Sequence, residues 1–363
     1  MVEARDAAHT VNLGGDLMTF DRLVTPVRGL ALAAAVSVIG TGAMAAEKTL
    51  KIQTSSNASH ASLAYLNEEW VPKLEAMTGG SLGIEFLPVD AVVPRRETPE
   101  AIGVGILDGD LTSINYFAGI DPAFALMGDL IAGYDSADQI QAYCAQGGGK
   151  EMLQKLMDTH YPGVHVVGCG AYAREAFVSK VPIRGVDDFK GVKVRSPEGL
   201  AADVFKRLGA APVSMSGSET YGALEKGVID AADNSAYANN DANGMHKVAK
   251  YPIFPGIHST PILQFTVSQA VWDEMSDAEK VALETWYLAA YNGLRTYFDR
   301  LDRQLVARDK AAGELEVIDW PQGERDKMRV VAQQAWEDFA KQSELAREVY
   351  DSHVAFMKEA GLL

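Results

Sequence analysis

The chain has too little positive charge to suit a nucleic acid partner. It carries 33 lysine and arginine residues against 49 aspartate and glutamate residues, a formal net charge of −16. Nucleic acid phosphates are bound by basic faces, so we expect no nucleic acid partner. The same charge works against long-range attraction of anions, so an anionic ligand has to be captured by a local site.

Cysteines and long apolar runs are also scarce. Only Cys144 and Cys169 are present, and their spacing does not indicate a metal site. They form either a disulfide, which an exported compartment permits, or two buried free thiols. After residue 45, no segment is apolar enough to span a membrane.

The sequence motifs of common enzyme classes are missing. There is no G-x-S-x-G, no G-x-x-x-x-G-K-[ST] and no H-E-x-x-H. The glycine pairs at 103–105 and 168–170 do not open helices, so they do not indicate a dinucleotide site. The seven histidines are scattered, and we expect His258, near the predicted cleft, to be structural or to donate a hydrogen bond to a ligand. These absences favour ligand binding without turnover over a secreted enzyme.

The N-terminus has the pattern of an export signal. Arg22 and Arg28 precede an apolar run at 29–42, which is short for a membrane span, and Ala43-Met44-Ala45 follows. We therefore predict a signal peptide within residues 1–45, cleaved after about Ala45, and a soluble periplasmic product. The residues before Met18 resemble an extension ahead of the true start.

Residues 191–234 predict a strand–helix–strand–helix–strand unit. Val192–Arg195 is the first strand, and Ser196-Pro197 opens a helix because proline fits the first helical turn. A capping box of Ser216 and Glu219 opens the second helix.

Polar side chains follow the strands of this unit. Arg195 ends its first strand, and Asp233 with Asn234 ends the third, predicted at Val228–Ala232. Ligands of open α/β sheets bind beyond the carboxyl ends of strands, so we expect these three residues to hold a small anion.

The first part of the mature chain repeats this β-α-β-α-β order. Two similar α/β lobes predict a ligand cleft between them. Further candidates for its lining come from strand ends and from the crossover at 168–174; they are Tyr116, Phe117, Tyr172, Arg174 and Tyr237. Arg174 is a second candidate for binding the anion, with a structural role equally open.

The remaining chain predicts mostly helices. Asn239–Val248 is expected to be one helix, followed by a strand at Tyr251–Phe254. Ser276–Ala312 predicts one long helix that begins with a capping box of Ser276 and Glu279. Its aromatic side chains are expected to pack in a core or an interface, and two more helices follow at 324–343 and 344–360.

Three motifs resemble the dicarboxylate-binding family of periplasmic solute-binding subunits of tripartite ATP-independent (TRAP) transporters. They are DFKGVKVRS at 188–196, LGA at 208–210 and ALEKGVID at 223–230. The segments DPAFAL at 121–126, GGG at 147–149, HKVAKY at 246–251 and PGIH at 255–258 are similar to the branch that binds 2-oxo acids and lactate. The similarity covers about residues 48–362.

This resemblance implies an α/β, two-lobed periplasmic-binding-protein fold with mixed sheets, a long lobe-linking helix and C-terminal helices. Residues 46–171 and 260–299 would form lobe I, and residues 172–259 lobe II. Residues 300–363 would be a helical region that packs on lobe II or on a partner subunit.

The resemblance also implies a mono- or dicarboxylate ligand clamped by Arg195, which matches the selectivity arginine of the family. In the 2-oxo-acid branch an acid followed by tryptophan helps to hold a metal ion that bridges to the ligand. Here Asp233 keeps the acid, whereas Asn234 replaces the tryptophan and Ser259 replaces a further acid. Asp233 therefore either contributes to a bridging Na⁺ or Ca²⁺ site or hydrogen-bonds a ligand hydroxyl directly.

The implied function is capture of a 2-oxo or 2-hydroxy carboxylate and its delivery to a TRAP membrane permease. The alternative is a sensory receptor that docks on a histidine kinase, since both functions use the same cleft. The branch includes dimers that exchange the long C-terminal helix, so a homodimer through Ser276–Ala312 is a further expectation.

Overall fold

The computed structural model describes residues 46–197, 199–215, 217–257 and 260–363. The predicted signal peptide, the predicted cap residue Ser216 and the candidate residue His258 lie outside these ranges. The described part contains two mixed sheets, helices packed on them, one long helix and C-terminal helices. This arrangement confirms the predicted α/β class.

Nine strands within the described ranges build the two sheets. They are β1 (Lys48–Thr54), β2 (Leu82–Leu87), β3 (Gly109–Ser113), β4 (Val164–Ala171), β5 (Phe177–Ser179), β6 (Lys193–Ser196), β7 (Ala211–Ser214), β8 (Ala231–Asp233) and β9 (Ile262–Ser268). The first sheet has the order β2-β1-β3-β9-β4, and the second has the order β5-β8-β6-β7.

Each sheet contains parallel and antiparallel pairs. In the first, β1 is parallel to β2 and β3, whereas β9 is antiparallel to β3 and β4. In the second, β6 is parallel to β7 and β8, and β5 is antiparallel to β8. The strands of the first sheet fall within the ranges predicted for lobe I, and those of the second within the range predicted for lobe II. The lobe boundaries themselves stay a prediction.

The helices pack on the sheets and on one another. They are α1 (Ala61–Tyr65), α2 (Val71–Met77), α3 (Thr98–Gly103), α4 (Pro122–Gly128), α5 (Ala137–Gln146), α6 (Gly149–His160), α7 (Leu200–Arg207), α8 (Thr220–Glu225), α9 (Tyr237–Ala242), α10 (Met245–Val248), α11 (Gln269–Glu274), α12 (Asp277–Ala312), α13 (Gln322–Ala340) and α14 (Glu344–Glu359). A π-helical turn at Leu66–Trp70 joins α1 to α2. Among the described residues, no helix combines the length and apolarity that a membrane crossing needs.

The long helix α12 forms as its end signals predict. Ser276 accepts a hydrogen bond from the backbone N–H of Glu279, and the Glu279 side chain accepts one from the backbone of Ser276. Gly313 ends the helix in the left-handed conformation, which glycine adopts without steric strain. The buried side of α12 includes Trp286, whose Nε1 donates to the backbone oxygen of Trp70 at 2.7 Å. The predicted core packing of this helix is confirmed.

The C-terminal helices α13 and α14 contact elements of both predicted lobes. Trp336 of α13 is buried and donates from Nε1 to the backbone oxygen of Ile131 at 3.0 Å. Asp338, also on α13, forms an ion pair of 2.9 Å with Arg207 of α7. On α14, the buried imidazole of His353 lies 2.8 Å from the hydroxyl of Tyr134.

A disulfide joins Cys144 of α5 to Cys169 of β4. Both residues are buried, and the sequence had left a disulfide and two free thiols open. The bond ties a helix to the last strand of the first sheet across a sequence separation of 25 residues.

Four local predictions are wrong. The third strand of the 191–234 unit begins at Ala231 and not at Val228, because residues 228–230 form an irregular segment after the helix. Ser196 belongs to β6 and Pro197 does not open a helix, since α7 begins only after Gly199, whose φ of 90° requires glycine. The helix predicted at Asn239–Val248 is two helices, because Gly244 with φ 74° interrupts it. The strand predicted at Tyr251–Phe254 is only an isolated bridge at Ile253.

Candidate functional site

A cavity of about 120 Å³ lies where strands of both sheets end. Its walls come from the segments that follow the carboxyl ends of β1, β3, β4, β6 and β8, together with the start of β9. Such edges are the usual ligand sites of open α/β sheets. The lining residues are Ser55, Ser56, Asn57, His60, Val89, Asp90, Arg95, Ser113, Asn115, Tyr116, Tyr172, Glu175, Arg195, Pro197, Gly217, Ser218, Asn234, Ser235, Asn243, Pro261 and Leu263.

Arg195 is a buried cation at the wall of this cavity. Its side chain is only 5% exposed. Its Nε donates to the backbone oxygen of Met215 at 3.2 Å, and its Nη1 donates to the backbone oxygen of Asp233 at 2.5 Å. Throughout the described ranges, no carboxylate forms an ion pair with Arg195 and its Nη2 has no hydrogen-bond partner. The guanidinium is thus held in place by neutral groups while its charge stays uncompensated.

Asp233 lies behind the cavity wall and does not line it. Its side chain is 2% exposed, and its Oδ2 accepts no hydrogen bond from the residues that the structure describes. Burial raises the pKa of Asp233 well above its usual range, and the nearby acids Glu175 and Asp129 raise it further. Arg195 acts in the opposite direction without outweighing them. The carboxyl group therefore favours the neutral form.

Asn234 reaches the cavity with a fixed amide. Its Nδ2 donates to Oδ1 of Asn240 at 2.8 Å, and Nδ2 of Asn240 donates to the backbone oxygen of Asn234 at 2.6 Å. A Cβ on Gly217 would stand 3.2 Å from Oδ1 of Asn234 and 3.9 Å from Nη2 of Arg195. The missing side chain of Gly217 leaves both of these polar atoms accessible.

Two of the predicted aromatic residues line the cavity. The guanidinium of Arg95 lies over the ring of Tyr116, 4.8 Å from its centre. The hydroxyl of Tyr172 accepts a hydrogen bond from Asn239 at 3.1 Å, and burial raises the pKa of Tyr172 to about 12. Tyr172 therefore stays neutral, and Tyr116 with Arg95 presents an aromatic face and a second cation.

Three predicted residues lie elsewhere among the described residues. Phe117 is buried against Phe124 in the core. Tyr237 is fully buried and donates from its hydroxyl to Oδ2 of Asp309 at 2.7 Å. Arg174 donates from Nη2 to the backbone oxygen of Asp135, and its pKa is lowered by burial and by the charge of Arg325. None of the three lines the cavity.

Several lining residues were missed from the sequence. The polar run 55–57 lines the cavity, and its position directly after β1 is the signal that the sequence offers for it. Arg95 begins a single 3-10 turn and Glu175 lies in an irregular segment, and neither is long enough to show a periodic pattern that predicts the direction of a side chain. Their presence in the wall follows from the folding of distant segments together.

The candidate ligands for a hard cation near Arg195 are oxygen atoms of three residues. The Glu175 carboxylate lines the cavity, Oδ1 of Asn234 is accessible, and the buried Oδ2 of Asp233 accepts no hydrogen bond among the described residues. Calcium and sodium prefer oxygen ligands of this kind. A cation there would also relieve the repulsion that raises the pKa of Asp233.

Residues 53–343 match the family of bacterial extracellular solute-binding proteins, family 7. The chain belongs to this family. It is thus an extracytoplasmic solute-binding protein of the TRAP class and not an enzyme. The resemblance seen in the motifs around Arg195 is confirmed.

Known relatives cover most of this solute-binding protein. A monocarboxylate 2-oxoacid-binding periplasmic protein of Nostoc sp. is 27% identical over 300 residues, or 81% of this chain and 80% of the relative. A TRAP periplasmic solute binding protein from Rhodobacter sphaeroides, solved in an apo open form, is 37% identical with a TM-score of 0.74, covering 87% of this chain and 99% of its own. One from Pseudoalteromonas atlantica, solved with bound sodium and pyruvate, is similar in fold at 20% identity and a TM-score of 0.73, covering 86% and 94%.

Proposed function

We propose that the protein captures a small 2-oxo or 2-hydroxy carboxylate at Arg195 and delivers it to a TRAP membrane permease. The supporting observation is the uncompensated charge of Arg195, a buried guanidinium held by two backbone carbonyls. A buried charge is unfavourable unless it is paired, so an anion entering the cavity gains a strong partner. A planar guanidinium also suits the bidentate geometry of a carboxylate.

The ligands named for relatives support an organic acid. The Nostoc relative is named for monocarboxylate 2-oxo acids, and the Pseudoalteromonas structure contains pyruvate. A cavity of about 120 Å³ accommodates a molecule of this size. The polar groups opposite Arg195, at the ends of β1 and β3, would hydrogen-bond the oxo or hydroxy oxygen.

Capture would couple to closure of the predicted lobes. Arg195 lies in β6 of the second sheet and Asn234 directly follows β8, whereas Ser55, Asn115 and Tyr116 follow strands of the first sheet. A ligand bound by both sets favours the closed arrangement by its differential affinity for it. The permease would then distinguish closed from open protein, and no bond of the ligand is changed.

A bridging Na⁺ or Ca²⁺ is part of the proposal. Asp233 and Glu175 would hold it, with Oδ1 of Asn234 as a further oxygen ligand. The cation would supply positive charge to the oxo or hydroxy oxygen of the ligand. Sodium accompanies pyruvate in the Pseudoalteromonas protein.

The remaining expectations belong to the same proposal. Export with cleavage after about Ala45 would be checked by N-terminal sequencing of protein recovered from the periplasm. Pairing of two copies through α12 would be checked by analytical ultracentrifugation of the mature protein.

Calorimetric titration of the mature protein with pyruvate, lactate, malonate and a sulfonated analogue, each with and without Ca²⁺, tests the function. Arg195→Ala should weaken binding of the preferred acid at least about tenfold, the loss of one charge-assisted hydrogen bond. Arg184→Ala, on the exposed surface, is the matched control and should leave affinity unchanged.

Arg174→Ala separates the two arginine candidates. Because Arg174 does not line the cavity, this variant should keep the affinity of the wild type. Unchanged affinity in Arg195→Ala would overturn the assignment of the clamp, and failure of every acid to bind the wild type would overturn the ligand class.

A further inference from the structure

A second cluster of polar side chains lies outside the ligand cavity. The cluster consists of Asp241 near the end of α9, His246 on α10 and Asp309 on α12. Each offers one possible ligand atom, and these atoms all lie within 4.8 Å of one another. None of the three lines the cavity at Arg195. The cluster therefore joins two short helices of the predicted lobe II to the long helix.

The distances suit three ligands of one small ion. Nδ1 of His246 lies 3.6 Å from Oδ1 of Asp241 and 4.0 Å from Oδ2 of Asp309. These separations are too long for hydrogen bonds. Zinc binds nitrogen and oxygen at about 2.0–2.2 Å, so neighbouring ligands of a tetrahedral ion stand roughly 3–4 Å apart.

His246 independently indicates that a partner belongs at this centre. Its side chain is 5% exposed, and neither ring nitrogen has a hydrogen-bond partner among the described residues. The ring packs on Tyr237 with 4.3 Å between the centres, which fixes its orientation. Buried polar atoms are normally paired, so two unpaired nitrogens on one imidazole need an explanation.

The two carboxylates are already held in position. Arg308 donates to Asp241 from Nη2 at 2.8 Å and to Asp309 from Nε at 2.8 Å, and the Tyr237 hydroxyl donates to Oδ2 of Asp309. Such outer hydrogen bonds orient metal-binding carboxylates. Each carboxylate oxygen has two lone pairs, so these bonds leave electron pairs for an ion.

The surroundings favour a metal that binds imidazole over cations in general. A surface cavity of about 280 Å³, lined by all three residues, gives an ion a path to the centre. Lys247, Lys250 and Arg308 also line it. Their positive charges offset the attraction of the two carboxylates, so Ca²⁺ or Na⁺, which bind mainly through charge, would bind weakly. Imidazole nitrogen suits zinc and its neighbours, whereas calcium and magnesium prefer all-oxygen sites.

We propose that Asp241, His246 and Asp309 form a binding site for a divalent transition-metal ion of the Zn²⁺ class. The ion fastens the α9–α10 segment to α12. Asn234, shortly before α9, and Asn243, between α9 and α10, line the ligand cavity. By holding this segment, the ion stiffens one wall of that cavity.

Calorimetric titration of tag-free, chelator-treated mature protein with ZnCl₂ tests the site, with CaCl₂ titrated in parallel. The wild type should bind one equivalent of Zn²⁺ here in preference to Ca²⁺. His246→Ala should weaken that binding at least tenfold. His165→Ala is the matched control, since His165 also has a buried unpaired nitrogen and stacks on Trp272 but belongs to no such cluster among the residues that the structure describes.

A second variant and a spectroscopic measurement keep the test independent of folding. Asp241→Asn alters a partly exposed ligand and should also weaken Zn²⁺ binding, while circular dichroism checks that the fold is kept. Co²⁺ in place of Zn²⁺ should give visible absorption bands that are lost in both variants and kept in His165→Ala. Zinc binding unchanged in His246→Ala, or lost in Arg195→Ala instead, would overturn the proposal.

Discussion

Arg195 donates a hydrogen bond from Nη1 to the backbone carbonyl of Asp233, 2.5 Å away, and forms no ion pair with the carboxylate of that residue. The backbone of Asp233 thus positions the cation, while its carboxylate does not pair with it. Burial and two neighbouring acids raise the pKa of Asp233, which favours its neutral form. Because the carboxyl group of Asp233 favours its neutral form, the positive charge of Arg195 stays available for a ligand.

Affinity for an organic acid should therefore fall as pH rises in metal-free buffer. Below the raised pKa, Asp233 is neutral and Arg195 is available. As pH passes through that pKa, the carboxylate forms and competes with the ligand for the guanidinium. Calorimetric dissociation constants measured between pH 5 and pH 9 with a chelator present would show the trend.

The control for that titration is Asp233→Asn, which cannot ionise and should bind with little pH dependence. Equal pH dependence in both proteins would contradict the role given to Asp233. A wild-type affinity that instead rises with pH once Ca²⁺ is added would show that the ionised carboxylate holds the cation.

Removing the disulfide should destabilise the fold without touching the cavity. Cys144 and Cys169 are 25 residues apart, and closing a loop of this length stabilises a protein by about 3 kcal/mol in the chain-entropy model. The variant with both cysteines changed to alanine should have a free energy of unfolding lower by about that amount, measured by urea denaturation. A reducing agent should destabilise the wild type and leave the variant unaffected. Equal stability of the wild type and the variant without a reducing agent would contradict the prediction.

Asp302 of α12 should make stability depend on pH. It is 3% exposed, and burial raises its pKa to about 7 even though it accepts a hydrogen bond from the N–H of Ala238 at 2.8 Å. Between about pH 4 and pH 7 the unfolded chain has this group ionised and the folded chain keeps it protonated. Stability attributable to Asp302 should therefore fall as pH rises through this window, by an amount on the order of 2–4 kcal/mol.

Asp302→Asn isolates this effect, since its Oδ1 still accepts the same hydrogen bond. Free energies of unfolding measured in urea at several pH values should show the variant losing less stability than the wild type between pH 4 and pH 7. Parallel curves for the two proteins would contradict the assignment.

Two glycines should respond in opposite ways to alanine. Gly222 lies in α8 with open space around a Cβ, so Gly222→Ala should stabilise the protein by about 0.5–1 kcal/mol. At Gly109 of β3 a Cβ would stand 2.1 Å from the backbone oxygen of Thr266, so Gly109→Ala should destabilise it by more than about 2 kcal/mol. Denaturant midpoints of both variants check the pair, and destabilisation by the α8 substitution would contradict the expected open space.

The residues that begin and end several helices can be recognised from the sequence, because capping depends on residues that are neighbours in the chain. The capping box of Ser276 and Glu279 specifies the start of α12, and Gly209 and Gly227 end their helices in the left-handed conformation. Pro197 misled because a proline after a strand also suits an extended segment, and the chain needed Gly199 before turning into α7. Within the described residues, the order of elements was thus better predicted than their boundaries.

The same distinction between local and long-range information applies to the candidate site. By itself the sequence determined the family, the strand-end position of Arg195 and the absence of catalytic motifs, since these depend on residue type and spacing. Only the tertiary structure decided that Arg195 forms no ion pair, that Asp233 does not line the cavity and that Tyr237 of α9 hydrogen-bonds Asp309 of α12 instead of lining the cavity. Side-chain direction and burial arise when distant segments pack together, and no local pattern of residues specifies them.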